Sequence, residues 1–407
     1  MRVLLVIDTN KLAENLSALN PELKYSGIVV ENVEIAKKTL ADRDLSQVPL
    51  YPMSELKSCV EGLAYDYILC VQKWGGMKLT NSVKQCAVVA DKVLSVSGLA
   101  ENDNFLLERS LRYFKEHVAE FEMFSTGTST VEKGINPSEF KRKLFNFGRG
   151  SQDLYYNLQV AKTIISYGEG NRKLRYALIG LAPYSFHYDL SKTQMFKYRM
   201  LQHIMVFNDG HNFFVPVEVY KKFFSKEWWT KKISFESFDV KSPHRSNWEK
   251  IMENKSMGEQ AINAAAPAWV GKYYPETRDE NIKILDDYLT LCEENNIRPV
   301  MFRVRVTEKY MANFNKRLLE EFYVLVEQAC QKHPSAVFFD GWKLKDFTYA
   351  DFFDHGHLNV HGAAKFSAYL NDFIEELEFN YYKDANNFHN RLNDSIEKFD
   401  FRNHFGA

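Results

Sequence analysis

The strongest constraint on this chain is its repeated alternation of short apolar runs with segments of helical period. Val3 to Ile7, Ile28 to Glu31, Val48 to Tyr51, Tyr65 to Val71 and Lys92 to Val96 have the length and content of strands. Between them, Lys11 to Leu19, Met53 to Glu61 and Ser82 to Asp91 carry helical spacing. Continuously apolar strands are buried on both faces, and strands linked through helices run parallel. The alternation therefore predicts an α/β architecture with helices covering a parallel sheet. It restarts at Phe121, with further strands at Lys143 to Phe147, Arg175 to Tyr184, Arg298 to Val306 and Ala336 to Trp342. At 407 residues the chain exceeds one ordinary core, so two such domains are expected.

Residues 1–115 are expected to form a small Rossmann-like domain, with Asn102 to Glu120 as a helical connector. Its first turn, Asp8-Thr9-Asn10-Lys11, lacks the glycines that let backbone approach a pyrophosphate. Glu31, at the end of the second strand, stands where a ribose-binding acid lies, but one acid does not make a dinucleotide site. A structural or docking role is expected, with no cofactor. A second domain is expected over 116–378, with an insertion at about 191–274 where periodicity fades and Phe213 to Val217 reads as a strand. Within it, Tyr220 to Lys232 mixes cations with aromatics, and Trp228 and Trp229 are candidates to stack on a sugar ring. The tail, 379–407, reads as a helical appendage that packs on another surface or joins two copies as a homo-oligomer.

Charge sets some function classes aside. A formal net charge of −1 gives no electrostatic footprint for nucleic acid or an anionic membrane. Five scattered cysteines without metal spacing read as reduced thiols. The apolar start, Met1 to Ile7, is too short for a signal peptide, and no segment is long enough to span a bilayer. A cytoplasmic location is expected.

Two stretches carry chemistry. Asp354-His355-Gly356-His357-Leu358-Asn359 leads into a helical segment, and an Asp three residues before a His can orient the imidazole as a general base. Helix capping by Asp354 is the simpler role of such a pair. Upstream, Phe124-Ser125-Thr126-Gly127-Thr128-Ser129 reads as a strand breaking at Gly127 and presenting Ser129 beside a helix start, where backbone N–H groups can receive an oxyanion. A Ser/Thr cap is the common alternative there. His355, His357 and His361 lie close in sequence, but their spacing does not put all three on one helical face, and no metal is implied.

Together these stretches resemble the SGNH (GDSL-like) hydrolase superfamily, in which a Gly-x-Ser block opens the domain and Asp-x-x-His closes it. The likeness is greatest to the branch found with bacterial cell-envelope and exopolysaccharide O-acylation, whose ending reads D-x-x-H-L-N-x-x-G-A. Asp354 to Ala363 fits that pattern at every fixed position. The resemblance implies an SGNH/flavodoxin-like α/β/α sandwich with Ser129 as nucleophile, His357 as base and Asp354 orienting it. It further implies an oxyanion site built from Ser129 and either Gly150 or Ser151, with Asn146 and Tyr184 near the substrate. Most of the superfamily carries a Gly-x-Asn-Asp block after the third strand. This chain has Leu181-Ala182-Pro183-Tyr184 instead, and losing one oxyanion donor typically costs roughly 100- to 1000-fold in turnover. The implied activity is a carbohydrate O-acyl (acetyl) esterase or O-acyltransferase acting on a cell-surface glycan or its precursor. The alternative is a catalytically inactive glycan-binding or scaffold protein of polysaccharide assembly.

Overall fold

The computed structural model describes residues 1–9, 12–41, 45–72, 78–86, 90–97, 99, 105–167, 173–193, 197–235, 255–265 and 273–381. Two compact units divide the chain: Met1–Tyr113 with Asp189–Ser246, and Phe114–Tyr188 with Asn247–Ala407.

The first unit holds β1 (Arg2–Ile7), β2 (Lys24–Val30), β3 (Leu50–Pro52), β4 (Tyr67–Gln72) and β5 (Val93–Ser97). All pair in parallel, in the order β3-β2-β1-β4-β5. The apolar runs sit where the alternation predicts: Val3 to Ile7 and Ile68 to Val71 are fully buried. The crossovers are helical, and Asn32 starts one of them by accepting from the Ile35 N–H at 3.0 Å. Glu31, the candidate ribose acid, forms an ion pair with Lys78 at 2.5 Å. Of the first turn, Thr9 accepts from the Asn32 N–H through its hydroxyl, while Asn10 and Lys11 lie outside the described residues.

The stretch expected as an insertion into the second domain divides, and its residues through Ser246 fall in the first unit. There the Asn20 N–H donates to the Phe223 carbonyl (3.0 Å), the Ser225 N–H donates to the Ala18 carbonyl (2.9 Å), and Tyr67 meets the Phe223 ring edge-on. Phe213 to Val217 is not a strand. Pro216, which has no N–H for a ladder, instead sits at the start of helix Val217–Lys221.

The second unit holds β6 (Met123–Thr126), β7 (Leu144–Asn146), β8 (Tyr176–Gly180), β9 (Arg298–Arg303) and β10 (Val337–Asp340). The order is β10-β9-β8-β6-β7, again all parallel. Counted within the unit this is the 2-1-3-4-5 order of flavodoxin-type sheets. The winding reverses between β6 and β8, and a crevice opens beyond their C-terminal ends. Helices cover both faces. Phe338 packs on Phe322 of helix Lys316–Lys332, while its neighbour Phe339 packs on Phe366 and Phe373 of helix Val360–Tyr381. Ala363, Phe366, Leu370, Ile374 and Leu377 recur at helical spacing and join Leu178, Val300, Phe302 and Val131 in one core. Each large side chain buried there is worth roughly 1.5–3 kcal/mol.

No helix among the described residues is long and apolar enough to cross a membrane. The five cysteines are buried and unpaired. The expected C-terminal appendage lies, beyond the end of helix Val360–Tyr381, outside the described residues.

Candidate functional site

Ser129 is seated by three glycines, each at the C-terminal end of a strand in the second unit. The helix Ser129–Gly134, capped by Thr128, lies directly on β6, β7 and β8. Gly127 has a φ of +153°, and a Cβ on it would come within 2.3 Å of Val131 Cγ2. A Cβ on Gly180 would stand 2.0 Å from that same methyl, and one on Gly148 would stand 2.4 Å from the Glu132 nitrogen. With no side chains at these positions, the helix can approach the strand ends closely. Asn146 then clamps it. Its Oδ1 accepts from Ser125 Oγ (2.9 Å) and the Gly148 N–H (2.8 Å), while its Nδ2 donates to the Val131 (3.1 Å) and Ile135 (3.2 Å) carbonyls.

The opposing loop is built by the fixed positions of the Asp354–Ala363 pattern. Phe352 and Leu358 form a small antiparallel bridge, and the Phe353 N–H donates to the His357 carbonyl at 2.9 Å. Asp354 Oδ1 accepts from the N–H groups of Gly356 (2.8 Å) and His357 (2.9 Å). Asn359 Nδ2 donates to the Ala350 carbonyl, and its Oδ1 accepts from the Gly362 N–H. A Cβ on Gly362 would fall 2.0 Å from the Asp351 carbonyl oxygen, so only glycine lets the helix begin against that backbone. Leu358 and Ala363 are buried beneath. Asp354 therefore does not cap the helix that follows: its carboxylate holds the loop N–H groups, and Asn359, accepting from the Gly362 N–H, caps the start of helix Val360–Tyr381.

These two constructions meet. His357 Nε2 lies 2.9 Å from Ser129 Oγ, and His357 Nδ1 lies 2.9 Å from both Asp354 oxygens. Burial would raise the Asp354 carboxyl, but the His357 imidazole beside it and the Gly356 N–H outweigh that and hold it well below the usual carboxylate range. It is therefore ionised at any neutral pH. His355 stacks on Tyr310 (centroids 5.5 Å apart), and burial pushes its imidazole down despite the nearby Asp354. His361 is exposed on the helix that follows.

Ser129, Thr130 and His357 open into a pocket of about 140 Å³, further lined by Leu181 to Tyr184, Arg303, Tyr310, Trp342 and His355. At the start of the Ser129 helix, the Val131 and Glu132 N–H groups bond to the Thr128 carbonyl. The Ser129 N–H makes no bond among the described residues, and the Thr130 N–H makes only a long one, 3.4 Å, to Thr128 Oγ1. Ala182 offers no amide, since its N–H donates to Ser185 Oγ at 2.9 Å.

Tyr184 lines the pocket as expected of a substrate neighbour, but other candidates sit elsewhere. Asn146 is 2% exposed with its hydrogen-bonding capacity spent on the Ser129 helix, so it is a clamp and does not face substrate. Gly150 and Ser151 are buried but are not part of the pocket lining, and the Ser151 carbonyl, at a φ of +65°, accepts from the Tyr188 hydroxyl. Trp228 and Trp229 belong to the first unit, where both rings pack on Phe105, at 5.0 and 4.6 Å.

Sequence reasoning missed Tyr310, Trp342 and Arg303. Arg303 ends the apolar run of β9, and a buried cation there must be partnered. It is 2% exposed, grips Asp340 at 2.7 and 2.8 Å through Nη2, and lies 4.0 Å from the Trp342 ring centroid, which fixes that wall of the pocket. No protein-family model matches the chain, and a search of curated proteins finds no match.

Proposed function

We propose that this chain is a serine-dependent O-acyl esterase or O-acyltransferase of the SGNH type, with a carbohydrate acyl ester, most simply an acetyl ester on a cell-surface glycan or its precursor, as substrate. One observation carries the reading: Ser129 Oγ, the His357 imidazole and the Asp354 carboxylate stand in an unbroken hydrogen-bonded line, each step 2.9 Å. In the proposed reaction His357 Nε2 takes the Ser129 proton as Oγ bonds to the acyl carbon. The carbon–oxygen bond to the alcohol breaks, and His357 returns that proton to the departing alkoxide. A second alcohol or water, deprotonated by His357, then bonds to the acyl carbon; the bond from that carbon to Ser129 Oγ breaks, and His357 returns the proton to Oγ. Asp354 keeps Nδ1 protonated and offsets the imidazolium charge.

The tetrahedral oxygen would be received by the Ser129 and Thr130 N–H groups. No carboxamide from the Leu181–Tyr184 segment joins them, so turnover slower than in enzymes with a full donor set is expected. A fluorophosphonate should label the wild type and neither Ser129→Ala nor His357→Ala at a comparable rate. Labelling of Ser129→Ala equal to wild type would remove Ser129 from the mechanism. No labelling of the wild type, with measurable binding of an acylated glycan, would favour the scaffold alternative.

A further inference from the structure

Tyr310 is a pocket residue whose side-chain donor is unspent among the described residues. It lies on helix Glu308–Ala312, and its backbone N–H is taken by Thr307 Oγ1 at 3.3 Å. Thr307 in turn holds the active-site loop, donating to the His355 carbonyl from both its N–H (3.2 Å) and its hydroxyl (3.0 Å). The Tyr310 ring is stacked at 19° on His355 and meets Trp342 edge-on at 6.4 Å. Its Cε2, next to the hydroxyl-bearing carbon, is 4.0 Å from where a Cβ on Gly356 would stand. Gly356 is the residue whose N–H holds Asp354, so the phenol end of Tyr310 stands over the Asp354–His357 loop. Among the described residues its hydroxyl makes no hydrogen bond. Burial, with Tyr184 and Asp354 nearby, pushes this phenol well above its ordinary value, so it stays protonated and keeps an O–H to offer.

Direction follows from the chemistry. An imidazole that carries the serine proton to the departing alkoxide has the alcohol half of the ester on its own side, with the carbonyl oxygen pointing to the backbone amides. A donor standing over the His357 loop therefore faces the alcohol. Beside it lie the Trp342 ring and the neutral imidazole of His355. An aromatic wall with a few fixed polar groups suits a ring that shows C–H groups on one face and oxygens at its edge.

We propose that the Tyr310 hydroxyl is a specificity-determining group of the alcohol subsite, donating to a hydroxyl or ring oxygen of a polyhydroxylated alcohol such as a sugar. This inference rests on Ser129 acting as the acyl acceptor. The test is Tyr310→Phe, which keeps the stacked ring and removes only the hydroxyl. Substrates are 4-nitrophenyl acetate and a mono-O-acetylated methyl glucoside. The ratio of kcat/KM for the glucoside over the aryl ester should fall about 10-fold, the loss of one neutral hydrogen bond, with the change mainly in KM. Methyl glucoside should also protect wild-type Ser129 from fluorophosphonate, and protect Tyr310→Phe correspondingly less. An unchanged ratio with equal protection, or equal losses on both esters, overturns the assignment of Tyr310 while leaving the nucleophile in place. Failure of the wild type to label overturns the nucleophile and this inference with it.

Discussion

Replacing Asp354 by Asn exchanges one oxygen for an amide group and leaves the loop able to form. The Asn Oδ1 can still accept from the Gly356 and His357 N–H groups, which now bond to a single carboxylate oxygen. The new NH2 group must then point at His357 Nδ1, where the second carboxylate oxygen stands at 2.9 Å. Two donors cannot share that contact, so the ring takes the tautomer with Nδ1 bare and Nε2 protonated. The Nε2 that faces Ser129 Oγ is then a donor and no longer a base. The same exchange in the serine-protease template lowers kcat by about 10⁴, or roughly 5.5 kcal/mol of barrier, and a loss of that order is expected here. Stability should behave differently. Asp354→Asn loses the charge's contribution alone and should melt between wild type and Asp354→Ala, which in addition strands two loop N–H groups at roughly 1–3 kcal/mol each. The folded carboxyl is depressed, so its contribution is present above the unfolded value of about 3.9 and lost only as pH falls through the lower folded value. The comparison therefore holds at pH 7. Aryl-acetate kinetics and thermal melts of both variants, with burst labelling by a fluorophosphonate, decide the matter. An Asn variant retaining more than a tenth of wild-type kcat, or melting as low as the Ala variant, would refute the orienting role.

Three further outcomes are expected. Gly180→Ala places a methyl 2.0 Å from Val131 Cγ2 and should cost both stability and activity, with Val131→Ala in the same chain recovering part of each; a purely additive double mutant would disprove the close-approach argument. Asn146→Ala should lower stability by about 2–4 kcal/mol by stranding several buried groups at once, measured by urea titration, and an activity loss without a stability loss would return Asn146 to the substrate. His333, at the end of helix Lys316–Lys332, joins Asp286 and Glu293 of helix Arg278–Glu294, each at 2.9 Å. Burial would lower it, but the two carboxylates outweigh that and raise it, while Asp286 is lowered. The histidine's contribution is therefore complete below about pH 6.5 and lost as pH rises through its higher folded value, while the carboxylates contribute above about pH 4. The melting difference between wild type and His333→Gln should peak near pH 5–6 and shrink by pH 8, and a difference flat across that range would contradict it.

Much of the architecture was legible because its signals are local. A parallel strand buried on both faces is continuously apolar, so the central strands β1 and β4 announce themselves within a few residues of their ends. The loop from Asp354 to Ala363 was legible for a related reason. Its fixed positions cap, bridge and pack against one another within ten residues, so the geometry is written in one short stretch. The Phe213 strand failed because aromatic content says a residue is buried but not in which backbone state, and Pro216 decided that locally. Trp228 and Trp229 pack on Phe105, and rings that stack on a sugar and rings that fill a core have the same sequence signature. Their assignment depends on which unit the chain returns to after Asp189.

The sequence by itself determined the periods, the turn chemistry and therefore two sets of parallel strands with a serine after one and an Asp–His pair near the end. Only the tertiary structure decided that Ser129 and His357, separated by 228 positions, stand 2.9 Å apart. That distance depends on strand order, which no local pattern encodes, and on three glycines whose missing side chains matter only against one helix. The same holds for the pocket wall. Arg303, Tyr310 and Trp342 come from three separate segments, and it is the buried Arg303–Asp340 pair and the stacking of Tyr310 on His355 that bring them to one side of the imidazole.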